Sequence, residues 1–123
     1  LRVYYEDTDL AGIVYYANYL KFIARARTEM VRAAGIDQAA LKLETGIVFA
    51  VARIEADYLR PAVFQDDLEV RSDLRILTGA RIVLDQTVWR DTTPLFRAVV
   101  TLVALGAGGK PARMPAIIRR LQD

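Results

Sequence analysis

No histidine and no cysteine occur among the 123 residues. The first absence excludes Ser–His–Asp and Cys–His catalytic units within this chain. Together the two absences exclude zinc sites built on imidazole or thiolate, and they leave no disulfide framework. No apolar run approaches the ~20 residues of a membrane-spanning helix. No amino-terminal stretch reads as a secretory signal, so a cytoplasmic setting is the expectation. An excess of one charge is missing too. Seventeen Lys and Arg stand against 15 Asp and Glu, interspersed, for a net charge of +2. That balance makes no electrostatic case for nucleic acid. Any acid–base or nucleophilic chemistry falls to Asp, Glu, Lys, Tyr, Ser or Thr, and no metal or redox cofactor is implied.

What is present supports one folded domain over residues 1–123, since 54% of the residues are apolar. Residues 1–5 read as a short strand, and 6–17 as a loop. Leu20, Ile23, Ala26, Met30 and Ala34 recur at helical spacing and predict a helix over 18–34. Asn18 is its expected N-cap and Gly35 its C′ residue. Asp37 is placed to cap a second short helix through about Leu43, which Gly46 ends.

Beyond Gly46 the period changes to two. The expected core faces are Val48, Ala50, Ala52, Ile54 and Ala56, then Leu68, Val70, Leu74 and Ile76. Ile82, Leu84 and Val88 follow, then Phe96, Ala98, Val100, Leu102 and Ala104. Thr78-Gly79 and Thr92-Thr93-Pro94 supply hairpin turns. Four strands in an antiparallel meander, with one long helix to cover one face, are the expectation. The tail 106–123 carries three glycines and two prolines. Its Ile117, Ile118 and Leu121 have the spacing of one or two helical turns.

The most specific segment is Tyr4-Tyr5-Glu6-Asp7-Thr8-Asp9-Leu10-Ala11-Gly12-Ile13-Val14-Tyr15-Tyr16-Ala17-Asn18-Tyr19. It puts two acids in the loop, follows them with a glycine and then opens the long helix. A carboxylate beside a helix N-terminus suits attack on an acyl group. The acid supplies a nucleophile or base, and the free N–H groups receive the oxyanion.

The segment Tyr5-Glu6-Asp7-Thr8-Asp9 with Gly12-Ile13-Val14-Tyr15-Tyr16, the helix run Arg25-Ala26-Arg27-Thr28-Glu29, and Ile54-Glu55-Ala56-Asp57-Tyr58-Leu59-Arg60-Pro61 carry a resemblance. The chain resembles the acyl-CoA thioesterases of the 4-hydroxybenzoyl-CoA thioesterase type, including the Tol-Pal-associated branch. The resemblance implies the α+β hot-dog fold, an antiparallel sheet wrapped around one long helix. It implies hydrolysis of an acyl-CoA, with an acyl carrier protein thioester as an alternative substrate. It also implies a homodimer or homotetramer with active sites at subunit interfaces. The family's catalytic carboxylate maps onto Asp9, and its carbonyl-polarising backbone N–H onto Tyr16. The Tol-Pal branch usually has histidine where this chain has Tyr16, whereas the 4-hydroxybenzoyl-CoA enzyme has tyrosine.

Each candidate also has a plainer reading. Asp9 suits a helix cap or an Asx turn, and Asp7 a loop acceptor. Gly12 suits a turn that needs positive φ, or close approach of a substrate. Asn18 caps the helix or touches the acyl pocket. Glu29 belongs to a run of alternating charges, which favours an ion-paired helix face. Arg60, Arg113 and Lys110 are candidate donors to coenzyme A phosphates, or scattered surface bases. The alternatives to a thioesterase are a non-catalytic acyl-CoA-binding or scaffolding domain, and a hydratase or dehydratase. Intact Asp9, Gly12 and Asn18 speak against the first, and the missing histidine against the second. An uncovered sheet face and an open edge predict the dimer, and pairing of outer faces the tetramer.

Overall fold

The computed structural model describes residues 1–122. A 3-10 turn at Tyr5–Asp7 leads through a tight loop into helix α1, Asn18–Ala33, and helix α2, Gln38–Thr45. Strands β1 (Val48–Tyr58), β2 (Glu69–Leu77), β3 (Ile82–Arg90) and β4 (Thr93–Leu105) follow. After them come the two-residue β5 (Pro111–Ala112) and a 3-10 segment, Ala116–Gln122. All pairings are antiparallel, in the order β1-β4-β3-β2. β5 pairs with Ala104 and Leu105 of β4, beyond Leu102, the last β4 residue paired with β3.

The helix boundaries follow local chemistry. Gly35 takes φ +79° just past α1. Asp37 caps α2 by accepting from the Ala40 N–H at 3.0 Å, and Gly46 stops that helix at φ +76°. These are the expected signals. Asn18 departs from expectation. The N-cap position falls on Ala17, whose φ −70° and ψ −20° are already helical. A capping side chain needs an extended backbone beneath it. The Asn18 amide instead donates to the Asp7 carbonyl at 2.9 Å.

α1 lies against one face of the sheet and buries Tyr19, Phe22, Ile23 and Val31. The two aromatic rings displace Leu20 from the expected stripe, and Leu20 is exposed. Beneath the helix sit Leu84, Val88, Phe96, Ala98 and Val100. Fully buried among them is one polar side chain, Gln86. Its amide donates to the Ile23 carbonyl at 2.9 Å and to Ser72 Oγ at 2.8 Å. Its Oε1 accepts from Arg27 Nη1 at 2.9 Å. With its polar atoms paired, Gln86 pins α1 to the sheet rather than disrupting the core.

The sheet corrects three expectations. β1 is not the first strand of a meander. It lies beside β4 at the sheet edge, because the connection from Leu59 to Leu68 carries the chain across the sheet to begin β2 at the other edge. The inward phase of β1 also changes at a bulge between Val51 and Arg53. Phe49 and Val51 pair with buried Ala104 and Leu102, and Ile54 with buried Val100. Val48, Ala50 and Ala52 therefore leave the core face, since one extra residue reverses every side chain before it. A second bulge, between Leu74 and Ile76, sends Leu77 inward and leaves Ile76 exposed.

The expected strand at 1–5 is reduced to a bridge between Arg2 and Asp67. Its partner segment turns at Gln65, with φ +71°, and cannot extend the ladder. The antiparallel sheet with one long helix across its face is the α+β hot-dog fold that the resemblance implies.

Candidate active site

Asp9 and Gly12 form a closed turn. The Gly12 N–H donates to the Asp9 carbonyl at 3.0 Å, and the Asp9 N–H to the Ile13 carbonyl at 2.9 Å. A bridge between Thr8 and Val14 seals the loop. Asp9 Oδ1 accepts from the Ala11 N–H at 2.8 Å, an Asx-type contact. Gly12 has φ +79°, and a Cβ built there meets nothing within 4 Å. Backbone conformation, not crowding, is what calls for glycine at this position. Asp9 is exposed, with its second carboxylate oxygen directed to no protein donor among the described residues.

Asp7 is a framework residue. Its Oδ2 accepts from the Tyr4 N–H at 2.9 Å. Its carbonyl accepts from both the Tyr15 N–H and the Asn18 amide, each at 2.9 Å. These bonds tie the acidic loop to the start of α1. The turn is held from below as well, by the Val14 N–H on the Ala62 carbonyl at 2.8 Å and a bridge from Ile13 to Val63.

Beside this loop is a cavity of about 260 Å³, with Ile13, Tyr16, Tyr19, Tyr58, Leu59 and Arg60 in its lining. Tyr16 lies just before the first helical turn. Among the described residues its N–H meets no acceptor, as expected where a helix has no earlier carbonyl to offer. The Tyr58 hydroxyl donates to the Tyr16 carbonyl at 3.2 Å. The Tyr19 hydroxyl accepts from the Ala62 N–H at 3.0 Å, and its ring stacks on Phe96 with centroids 5.1 Å apart. An ion pair between Arg90 and Asp66, at 2.7 Å, braces the far wall, and Arg90 also donates to the Pro61 carbonyl at 3.3 Å.

Three phenols at or beside the site have raised pKa values. Burial raises the pKa of Tyr19 and of Tyr58, and at Tyr58 the neighbouring Tyr16 adds to it. Tyr15 is raised first by the interaction of its hydroxyl with the Tyr16 phenol, then by burial, and last by the charge of Asp9. Among these three phenols, the Asp9 charge acts on Tyr15 alone.

The predicted site residues separate into two places. Asp9, Gly12, Tyr16, Asn18 and Arg60 gather around the loop and the start of α1. Arg113 does not join them. Its guanidinium lies against Gly79, where a Cβ would sit 3.1 Å from Cζ, in a cleft shared with Arg119. The Gly79 turn precedes Ile82, whereas the cavity adjoins the Val88–Phe96 end of the sheet. Six strand residues separate the two ends, or about 20 Å. Glu29 is exposed and 3.8 Å from Arg32 in an ion pair. Tyr58 and Gln86 were not among the predicted site residues. Gln86 did leave a signal, as a polar residue in the apolar series Ile82, Leu84, Val88.

The family described as the Thioesterase-like superfamily matches residues 3–121. The acyl-CoA thioesterase YbgC of Haemophilus influenzae is 38% identical over 120 residues, covering 97% of this chain and 88% of that protein. The acyl-CoA thioester hydrolase YbgC of Escherichia coli O157:H7 is 38% identical over 103 residues, 84% of this chain and 76% of its own length. A crystal structure of a probable thioesterase from Bartonella henselae superposes with a TM-score of 0.88. It is 33% identical and covers 94% of this chain and 95% of that one.

Proposed function

This chain belongs to the thioesterase-like superfamily, and from that premise we propose that it hydrolyses acyl-CoA thioesters with Asp9 as carboxylate nucleophile or general base and the Tyr16 N–H as oxyanion donor. The chain is a thioester hydrolase. The observation that supports the finer reading is one juxtaposition. The Asp9 carboxylate sits in a closed turn bonded to Ile13, and Ile13 lines an apolar cavity together with Tyr16, whose N–H, just before the helix, meets no acceptor among the described residues.

The reaction follows from that arrangement. The acyl chain enters the apolar cavity, and the thioester carbonyl oxygen accepts from the Tyr16 N–H. The carbonyl carbon then becomes more electrophilic, and the N–H stabilises the charge that develops on oxygen. Asp9 either attacks this carbon, forming an anhydride that water opens, or removes a proton from a water that attacks. The C–S bond breaks in both routes, the thiolate takes up a proton, and one water is consumed for each acid and coenzyme A released. Arg60 at the rim is suited to a coenzyme A phosphate. Arg113 is available to the same substrate only from another subunit.

β1 is an open edge, with Val48, Val51 and Tyr58 exposed along it. Pairing of β1 with its own copy gives a homodimer with a continuous sheet. The outer face, with Trp89, Val99 and Val103, gives the contact for a tetramer. No described helix is long and apolar enough to cross a membrane. The activity is tested by titrating released thiol from a panel of acyl groups, each offered on coenzyme A and on acyl carrier protein. Turnover of the coenzyme A series is expected. Tight binding of acyl-CoA without thiol release would refute the hydrolytic reading.

A further inference from the structure

We propose that the Asp66–Arg90 ion pair positions the reacting carboxylate: it closes the 61–66 turn that holds both ends of the acidic loop, and so sets where Asp9 stands relative to the Tyr16 N–H. This rests on the thioesterase reading above and adds two positioning residues to it, both acting through Asp9.

The loop from Tyr4 to Gly12 hangs between two anchors, and both lie on that one turn. At the entry, the Val3 N–H donates to the Asp66 carbonyl at 2.8 Å, and the Gln65 N–H to the Val3 carbonyl at 2.9 Å. At the exit, the Val14 N–H donates to the Ala62 carbonyl at 2.8 Å, and Ile13 bridges to Val63. The Ile13 carbonyl in turn accepts from the Asp9 N–H at 2.9 Å. A change of shape at Val63 therefore reaches Asp9 through Ile13. Tyr16 is held from another side, by the Tyr58 hydroxyl on its carbonyl.

The turn contains an unfavourable residue. Gln65 takes φ +71°, a left-handed conformation that is costly for a residue with a Cβ. Such a conformation persists only where the surrounding bonds over-determine it. The Asp66 side chain supplies them. Its Oδ2 accepts from the Val63 N–H at 2.9 Å and from Arg90 Nη1 at 2.7 Å. Arg90 Nη1 also donates to the Pro61 carbonyl at 3.3 Å. One carboxylate oxygen and one guanidinium nitrogen thus fasten residues 61, 63 and 66 to the end of β3. In the other ion pairs between side chains, among the described residues, every side chain is at least 42% exposed. Here Arg90 is 34% exposed and Asp66 17%. Exposed pairs contribute little, whereas a partly desolvated pair that also bonds main chain fixes geometry. Both charges reach the cavity wall. After burial and the Ala62 N–H, Arg90 lowers and Asp66 raises the pKa of Tyr19.

The test is steady-state kcat and KM, with an acyl-CoA that the parent hydrolyses, for Asp66→Asn and Arg90→Met. Asparagine keeps an acceptor for the Val63 N–H and removes the charge opposite Arg90. Each variant should lower kcat by about tenfold or more, since a misplacement of about 1 Å can cost roughly 100-fold. KM should change far less than kcat. Arg90→Lys should regain part of the kcat lost in Arg90→Met. In an Asp9→Asn background, Asp66→Asn should add little further loss, because the group it misplaces is already gone. A merely structural brace would lower that residual rate too. A parental kcat in both variants, a change confined to KM, or losses that multiply in the double variant would overturn the proposal. Should Asp66→Asn and Arg90→Met fail to fold, Arg90→Lys is measured alone. It keeps the charge without the planar fork, so a reduced kcat at constant KM is expected, and a parental kcat would count against the pair. A parent that releases thiol while the variants match it removes this inference alone. A parent that releases thiol from no acyl-CoA removes the proposed function with it.

Discussion

The Tyr58 hydroxyl donates to the main-chain carbonyl of Tyr16 at 3.2 Å, joining the end of the edge strand to the residue just before the N-cap of the long helix. The same peptide region supplies the proposed oxyanion donor, so this bond orients a reacting group from the non-reacting side. Tyr58→Phe keeps the ring contacts and loses only that bond. Its kcat should fall by roughly two- to tenfold, corresponding to about 0.5–1.5 kcal/mol for one neutral hydrogen bond. Thermal denaturation should move little, since Tyr58 is exposed. A parental kcat in steady-state assays would separate the hydroxyl from catalysis.

Asp9→Asn tests the carboxylate itself. Asparagine can still accept from the Ala11 N–H, so the turn and the stability should be retained. The charge is lost, and kcat should drop by about 100-fold or more, the usual scale for a positioned general base. Acyl-CoA binding, read by calorimetry, should change little. Asp7→Asn is the control, because Asp7 serves the loop through its carbonyl and a Tyr4 N–H contact. If Asp7→Asn or Glu29→Gln abolishes turnover while Asp9→Asn does not, the assignment is wrong.

Tyr16→Phe separates side chain from main chain. The phenol is exposed and packs on Tyr15 and Tyr58 through its ring, which phenylalanine preserves. Most activity should remain. A loss of about 100-fold with the fold intact would mean that the hydroxyl, not the N–H, meets the oxyanion.

Gln86→Leu is expected to destabilise the protein by about 3 kcal/mol, because it leaves the Ile23 carbonyl, Ser72 Oγ and Arg27 without their partner in the core. Denaturant unfolding reads this directly. A midpoint unchanged from the parent would show that these groups find other partners.

Sedimentation at micromolar concentration should give a dimer or a larger species, because an exposed β1 edge with apolar side chains is an association surface. A monomer with full activity would contradict both the assembly and a site shared between copies.

Much of this protein was legible without a fold. The missing histidine and cysteine limited the acid–base and nucleophilic chemistry to Asp, Glu, Lys, Tyr, Ser or Thr. Apolar residues at helical spacing marked α1. Asp37, Gly35 and Gly46 marked helix ends, because capping and positive φ are properties of a few adjacent residues. The Asp9–Gly12 turn belongs to the same class, its bonds spanning at most four residues. The tertiary structure decided the rest. β1 joined β4, Tyr58 pairing with Phe96 and Val48 with Leu105, and two bulges reversed the inward phase at the start of β1 and at the end of β2. A bulge depends on which strand lies opposite, and spacing along one strand carries no record of that. Asn18 turned from cap to tether because the Asp7 carbonyl came within its reach. Arg113 matched a binding role by charge, yet the length of β3 holds it at the far end of the sheet. Arg27 and Gln86 lie 59 residues apart in sequence. Only the packing of α1 on the sheet brought the cation and its acceptor together, because contacts at that separation are set by the whole core rather than by local pattern.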